Sequence, residues 1–153
     1  MIWYRIDNRL VHGQIIEAWL PYLQAAVLIV ANDELACDSL RQQIVLLAVP
    51  TRIRTEFAGF DRLPQLVKIL EEINENALVL FADCFDVPKA LGMGINIPMC
   101  NVGNMHYAAD KELICPHVAL SAMERSCLRT LETLGIILDF RCVPMDNPQP
   151  KNW

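Results

Sequence analysis

Two runs in this chain, Ala26-Val27-Leu28-Ile29-Val30 and Ala77-Leu78-Val79-Leu80-Phe81-Ala82, are apolar at every position. A strand with one wet face alternates polar and apolar residues. A strand apolar throughout has to be covered on both faces. Between and around these runs, apolar residues recur at helical spacing. The stripes are Ile15, Ile16, Trp19, Leu20, Leu23; Ala36, Leu40, Ile44, Leu47; Leu63, Leu66, Val67, Leu70, Ile73; and Met123, Cys127, Leu131, Leu134. Buried strands alternating with amphipathic helices predict an α/β fold: three layers, a mostly parallel central sheet and helices on both faces.

Local punctuation divides the chain further. Ile2–Ile6 reads as a first strand, and Pro21 ends or bends the helix that follows. Asn32-Asp33 caps a helix reaching Ala48, which Pro50 stops. Thr51–Phe57 reads as a strand, and Asp61 caps a helix with Pro64 in its first turn. Asp83–Leu91 reads as a short helix stopped by Gly92 and Gly94, and Ile95–Val102 as a strand shortened by Pro98. Gly103–Ala109 reads as loop, with short strands at Leu113-Ile114 and His117–Leu120. Ser121 with Glu124 forms a capping box, Gly135 closes that helix, and Ile136–Val143 is a final strand. The Pro- and Asn-rich end, from Pro144 on, reads as a loose tail.

With 153 residues the chain has the size of one domain. Thirteen basic residues against 18 acidic ones give a net charge of −5, with no basic cluster to neutralise phosphates. That argues against a nucleic-acid partner or an anionic membrane surface. Apolar stretches such as Ala25–Ala31 are far shorter than the ~20 residues of a spanning helix. No signal peptide is visible at Met1, so the chain is expected to be soluble and cytoplasmic. The six cysteines form no CxxC pair and mostly sit in apolar runs, as buried free thiols do; neither a zinc site nor another metal or cofactor is expected.

In a parallel sheet, ligands bind at loops beyond the carboxyl ends of the strands. Two loops qualify, Asp7–Gly13 and Asn101–His106. The first is dense in chemistry: Arg5-Ile6-Asp7-Asn8-Arg9-Leu10-Val11-His12-Gly13-Gln14. His12 falls at a helix N-terminus, where free N–H groups and the helix dipole favour an anion. Arg9 offers a planar fork of donors to a phosphoryl group, and Gly13 leaves the backbone open to approach. A neutral imidazole is a competent nucleophile, and Asp7 can orient the ring or clamp Arg9. The bland alternative is a surface histidine beside an Arg9–Asp7 ion pair.

That ten-residue block resembles the signature that opens the IIB proteins of the mannose/fructose/sorbose family of the bacterial phosphoenolpyruvate-dependent sugar phosphotransferase system (PTS). Val30-Ala31-Asn32-Asp33-Glu34-Leu35-Ala36 resembles the family's segment after the second strand. Asn101-Val102-Gly103-Asn104-Met105-His106 resembles its Asn-Val-Gly-Gly loop, and Gly135 to Pro144 its closing strand. The resemblance implies a mostly parallel sheet of about seven strands. It implies that His12 is phosphorylated on Nδ1 by a IIA partner, with Arg9 and loop amides holding the phosphoryl group. The group would then pass to a sugar held by IIC and IID membrane subunits, with possible peripheral association of the chain there. Two positions depart from the family: Asn8 replaces an Asp, and Asn104 replaces a Gly, where Asn tolerates a positive φ.

The expected site therefore comprises His12, Arg9 and Asp7 as catalytic residues and Arg9, Gly13 and Gln14 for phosphate. Arg5, Asp33, Asp83 and His106 are candidate cleft-lining residues; for Asp33 and Asp83, helix capping is the favoured role. His117 reads as structural, and Trp3 and Trp19 as core or interface; a homo-oligomer is possible. Residues 1–145 form one IIB domain in this reading, and 146–153 a tail. Two alternatives stay open: a regulatory phosphohistidine protein without a permease, and a non-covalent anion-binding module.

Overall fold

The computed structural model describes residues 1–147. Among the described residues, eight strands and six α-helices follow one another as β1 Ile2–Asp7, a π-helical turn Ile15–Trp19 leading into α1 Leu20–Leu23, β2 Val27–Ala31, α2 Asp33–Ala36, α3 Ser39–Ala48, β3 Arg54–Ala58, α4 Leu63–Glu72, β4 Ala77–Phe81, α5 Asp86–Gly92, β5 Met99–Asn104, β6 Glu112–Cys115, β7 Val118–Leu120, α6 Ala122–Thr133 and β8 Ile137–Asp139. Six strands form one parallel sheet in the order β3-β2-β4-β1-β5-β8. β6 and β7 pair separately as an antiparallel hairpin.

The two fully apolar runs become β2 and β4, side by side and buried at every position. Alternate residues feed two cores. Val27, Ile29, Val79 and Phe81 meet Val67 and Leu70 of α4, Val87 of α5 and Leu128 and Leu131 of α6. Leu28, Val30, Leu78 and Leu80 meet Ile15, Trp19, Leu20 and Leu23 on the opposite face. That is the expected three-layer α/β arrangement.

Several boundaries differ from the sequence reading, each for a local reason. The first helix runs past Pro21 to Leu23, because the preceding turn has widened to π geometry; such a turn accommodates a proline ring that would clash in an α-turn. The helix expected from Asn32 to Ala48 is two. Asn32 caps α2 through Leu35 N at 2.8 Å, and Asp38 opens α3 by accepting from Arg41 N at 3.0 Å. Leu40, Ile44 and Leu47 on α3 face solvent rather than the core. Asp61 caps nothing; α4 starts after Arg62 without a side-chain cap. Residues 51–53 form a turn, with Ile53 N bonded to Pro50 O, so β3 starts late. Asp86 accepts from Ala82 N and Asp83 N, delaying α5 to residue 86.

Gly103 and Asn104 belong to β5 rather than to a loop. The capping box of Ser121 and Glu124 forms as expected, but the buried face of α6 is Glu124, Leu128 and Leu131, leaving Met123 and Leu134 exposed. β8 is short because Asp139 takes Arg141 N and Asp146 takes Cys142 N and Val143 N, so side chains replace the ladder. The tail expected over 146–153 lies outside the described residues from position 148 on. No helix among the described residues is long and apolar enough to cross a membrane. The six cysteines are free thiols; Cys84, Cys100 and Cys115 are buried, and burial pushes Cys100 up to about 12.

Candidate active site

β1 lies between β4 and β5, so the loop after it emerges between two other strand ends. Asn8 staples it there. Its backbone N donates to Asn104 O at 3.1 Å, its Nδ2 donates to Ala82 O at 3.0 Å, and its Oδ1 accepts from His106 N at 2.6 Å. The chain reverses through a turn in which Leu10 N donates to Asp7 O at 2.9 Å and Leu10 adopts a left-handed φ of 54°. A non-glycine residue held there costs about 1–2 kcal/mol, which the surrounding bonds have to outweigh. The His12 carbonyl then accepts from Ile15 N and Ile16 N, at 3.0 and 3.2 Å, placing His12 immediately before a helical run that starts at Gly13.

Asp7 is the hub of this loop. Its side chain is fully buried and accepts from Arg5 Nη2 at 2.9 Å, Arg9 Nε at 3.1 Å, Arg9 Nη2 at 3.2 Å and Arg9 N at 3.2 Å. His12 Nε2 lies 2.9 Å from Asp7 Oδ2. A carboxylate only accepts, so the proton in that bond sits on Nε2 and the neutral ring keeps its lone pair on Nδ1. Burial, the largest influence on the Asp7 carboxyl, pushes it up. The bonds from His12 and Arg9 and the charge of Arg5 together outweigh burial and hold Asp7 well below the usual carboxylate range.

Behind Asp7 stands Arg5, also fully buried. Its Nη1 donates to Asn101 Oδ1, and its Nη2 also donates to Cys142 O at 3.2 Å. The guanidinium carbon lies 4.9 Å from the centroid of the Trp19 ring, an attractive cation–π distance. It also packs directly on Gly103, where a Cβ would sit 1.8 Å from Arg5 Cζ. Burial lowers the guanidinium from its ordinary value, against the pull of Asp7; an arginine so paired keeps its charge. Two guanidinia against one carboxylate leave the cluster positive.

Arg9 is half-open, with its side chain 42% exposed, and its Nη2 also donates to Gln14 Oε1 at 2.9 Å. A Cβ at Gly13 would meet nothing within 4 Å, so the space over the helix start is open. Among the described residues, no group of three or more His, Cys, Asp or Glu is placed to hold a metal ion.

The model of one protein family, the PTS system sorbose subfamily IIB component, matches residues 1–152. The chain belongs to that family. The N-acetylgalactosamine-specific phosphotransferase enzyme IIB component 2 of Escherichia coli (strain K12) is 30% identical, over 93% of this chain and 90% of its own. The mannose-specific EIIAB component of the same strain is 26% identical over 93% of this chain, which spans 44% of that longer protein. The crystal structure of the IIBSor domain of the sorbose permease from Klebsiella pneumoniae gives a TM-score of 0.87 at 27% identity, covering 97% of this chain and 92% of that one. The protein is thus a sugar-specific IIB component, a phosphotransferase subunit serving sugar uptake.

Within this IIB chain the structure brings Arg5, Asp7, Arg9, His12, Gly13 and Gln14 together. The other candidates bond neither Asp7 nor His12. Asp33 Oδ1 accepts from Phe60 N at 2.9 Å and Asp33 Oδ2 from Lys89 Nζ at 2.6 Å; Asp83 Oδ1 accepts from Phe85 N at 2.7 Å. Neither caps a helix as expected: Asn32 caps α2, while Asp33 ties the segment before α4 to Lys89, and Asp83 makes a local turn bond before α5, which has no side-chain cap. His106 joins through its backbone N alone, and His117 Nε2 pairs with Phe140 O at 2.8 Å. Arg5 does not line the cleft; it supports Asp7 from beneath. The Asn8 departure has a physical role, since an Asp could accept from His106 N but could not donate to Ala82 O. Asn104 lies in β5 without a positive φ. The sequence reading did not place Asn101, Gly103, Trp19 or Cys142 against Arg5. For Asn101 and Gly103 the signal is register, because β1 pairs with β5 through Arg5↔Asn101; Trp19, in the π-helical turn, and Cys142, beyond β8, carry no such signal.

Proposed function

We propose that this IIB chain accepts a phosphoryl group on His12 Nδ1 from a IIA protein and passes it to a sugar bound by IIC and IID membrane subunits. The observation that carries the reading is the bond between His12 Nε2 and Asp7 Oδ2, at 2.9 Å. It leaves Nδ1 as the nucleophilic nitrogen. The Nδ1 lone pair attacks phosphorus, the phosphorus–nitrogen bond to the donor histidine breaks, and that electron pair returns to the donor ring. The His12 ring keeps its Nε2 proton, donated in a hydrogen bond to Asp7, throughout. A sugar hydroxyl oxygen then attacks phosphorus while its proton passes to a base on the permease side, the phosphorus–nitrogen bond breaks, and Nδ1 recovers its lone pair.

Arg9 supplies charge-assisted donors to the phosphoryl oxygens, and its partial exposure supports that role. The amides of Gly13 and Gln14, in the first turn after His12, add backbone donors at the positive end of a helix. Gln14 tethers Arg9. Asp7 and Arg5 take no part in the transfer itself; they hold the ring and its tautomer. The two components joined in the mannose-specific EIIAB relative support a IIA donor. The reading treats residues 1–145 as one IIB unit acting at the cytoplasmic side of a permease.

Phosphotransfer to the purified protein tests this, using phosphoenolpyruvate, enzyme I, the carrier HPr and a IIA protein of the system. The expected product is an acid-labile phosphohistidine that maps to His12 and is absent in His12→Ala. Label on His12→Ala overturns the assignment. A labelled His12 that no sugar can discharge points to a purely regulatory phosphohistidine, and phosphate binding without a covalent adduct points to an anion-binding module.

A further inference from the structure

The buried Arg5 guanidinium, which holds Asp7, rests on three acceptors: Asp7 Oδ2, Asn101 Oδ1 and Cys142 O. Its Nε has no partner among the described residues, so the Nη contacts alone fix it through hydrogen bonds. Asp7 and Asn101 are set by the register of β1 against β5. Cys142 lies beyond β8, which ends at Asp139, so the sheet does not aim its carbonyl.

Asp146, at the start of the expected tail, aims it instead. Its Oδ2 accepts from Val143 N at 2.9 Å and from Cys142 N at 3.1 Å, and its own N donates to Val143 O at 3.1 Å. The peptide unit joining Cys142 to Val143 is therefore held at both ends. Its N–H donates to the Asp146 carboxylate, and its C=O accepts from Arg5 Nη2 at 3.2 Å and from Trp19 Nε1 at 3.0 Å. A peptide whose N–H is bonded to a carboxylate is polarised, which makes its carbonyl a better acceptor. The same segment also reaches the phosphate side of the site. Cys142 Sγ lies 3.6 Å from Gln14 Oε1, the atom that accepts from Arg9 Nη2.

We infer that Asp146 is a positioning residue for phosphoryl transfer: it orients the Cys142–Val143 peptide, that carbonyl steadies Arg5, and Arg5 holds Asp7 against His12 Nε2. Its side-chain bonds run to the backbone of 142 and 143, so it acts through Arg5 and not on the reacting atoms. Without the carboxylate the 142–143 peptide is free to turn, Arg5 loses an aimed acceptor, and the imidazole loses the alignment that keeps its proton on Nε2. The effect on transfer rests on the phosphocarrier role proposed for His12; the effect on the ring does not.

Asp146→Ala and Asp146→Asn in the full chain test it. Alanine removes the acceptor, whereas asparagine keeps an amide oxygen in the same place. In Asp146→Ala the indole N–H signal of Trp19, identified by its loss in Trp19→Phe, should move, and the His12 ring nitrogen signals should show a weaker preference for the Nε2 proton. Transfer from a phosphorylated IIA protein should fall about tenfold in kcat with KM within about twofold of wild type, because alignment changes and docking does not. Asp146→Asn should bring all these readouts back toward wild type. Unchanged ring signals in Asp146→Ala, or an unchanged kcat where wild-type His12 takes label, overturns the inference. So does Asp146→Asn as impaired as Asp146→Ala, or a change confined to KM or to the melting temperature. Absence of label on wild-type His12 overturns the phosphocarrier reading instead, and the Trp19 and His12 signals still decide whether Asp146 positions the ring.

Discussion

His12 Nε2 stands 2.9 Å from Asp7 Oδ2, so a buried carboxylate decides which ring nitrogen keeps its lone pair. Asp7→Asn preserves shape but removes the charge that neutralises Arg5 and allows the amide to present a donor to the ring. Breaking a buried pair from one side costs about 3–5 kcal/mol. Holding the wrong tautomer is expected to slow phosphoryl transfer by about 10²–10⁴-fold. Denaturant unfolding and single-turnover labelling measure the two effects separately.

Gly103 has no room for a methyl group. A Cβ there would lie 1.8 Å from the Arg5 guanidinium carbon, which is pinned by Asp7, Asn101 and Trp19. Gly103→Ala should destabilise the fold by about 1–3 kcal/mol or more, as overpacking does. It should also slow transfer by displacing Arg5 from Asp7. A variant with wild-type stability would show that the guanidinium can shift freely.

Gly13→Ala makes the opposite test. The added Cβ meets nothing within 4 Å of the protein and sits in a helical first turn, so stability should stay level or rise by up to about 1 kcal/mol. Phosphoryl transfer should still fall, because the methyl group stands where donor and acceptor approach. Normal transfer rates would remove Gly13 from the approach path.

The architecture was legible because its signals are local. Runs apolar at every position become β2 and β4, and Ser121 with Glu124 forms its capping box. Within the site, Asp7, Arg9, His12, Gly13 and Gln14 lie in one short loop, so their grouping could be read directly. Arg5 could not be placed the same way. The sequence makes it a candidate cleft-lining residue; only the register sets it, buried, against Asn101 and Gly103 of β5. The α3 stripe of Leu40, Ile44 and Leu47 has good helical spacing and faces water, because periodicity reports a face and not what covers it. Asp38 was missed as the cap that separates α2 from α3, since the stripe runs across it.

Asn8→Asp restores the family's usual residue and removes the donor to Ala82 O. Losing one part-buried hydrogen bond and facing a carboxylate toward a carbonyl should cost about 1–3 kcal/mol. The new negative charge beside the phosphoryl site should also slow acceptance. Thermal unfolding and initial labelling rates of Asn8→Asp against wild type check both.

Burial, with help from the neighbouring Asp83, raises Asp86 from its ordinary 3.8 to about 6. The folded state therefore holds the Asp86 proton more tightly than the unfolded chain. Its contribution to stability is complete below pH 3.8 and is lost as pH rises through about 6. Asp7 has the opposite sign: its folded-state pKa is depressed, so its contribution is complete above the unfolded value and is lost as pH falls toward the folded one. Asp86→Asn should flatten the slope between pH 3.8 and about 6 and leave the loss at lower pH intact. Unfolding midpoints across that range, with and without the substitution, provide the check.

The most direct test of the account is the state of the His12 ring, read by long-range ¹⁵N–¹H NMR before and after phosphorylation. The free protein at mildly alkaline pH should show His12 protonated at Nε2 and bare at Nδ1, and Asp7→Asn should lose that preference. The phosphorylated protein should carry phosphorus on Nδ1, with the Nε2 proton still in place. Phosphorus on Nε2, or a free ring protonated at Nδ1, would contradict the account.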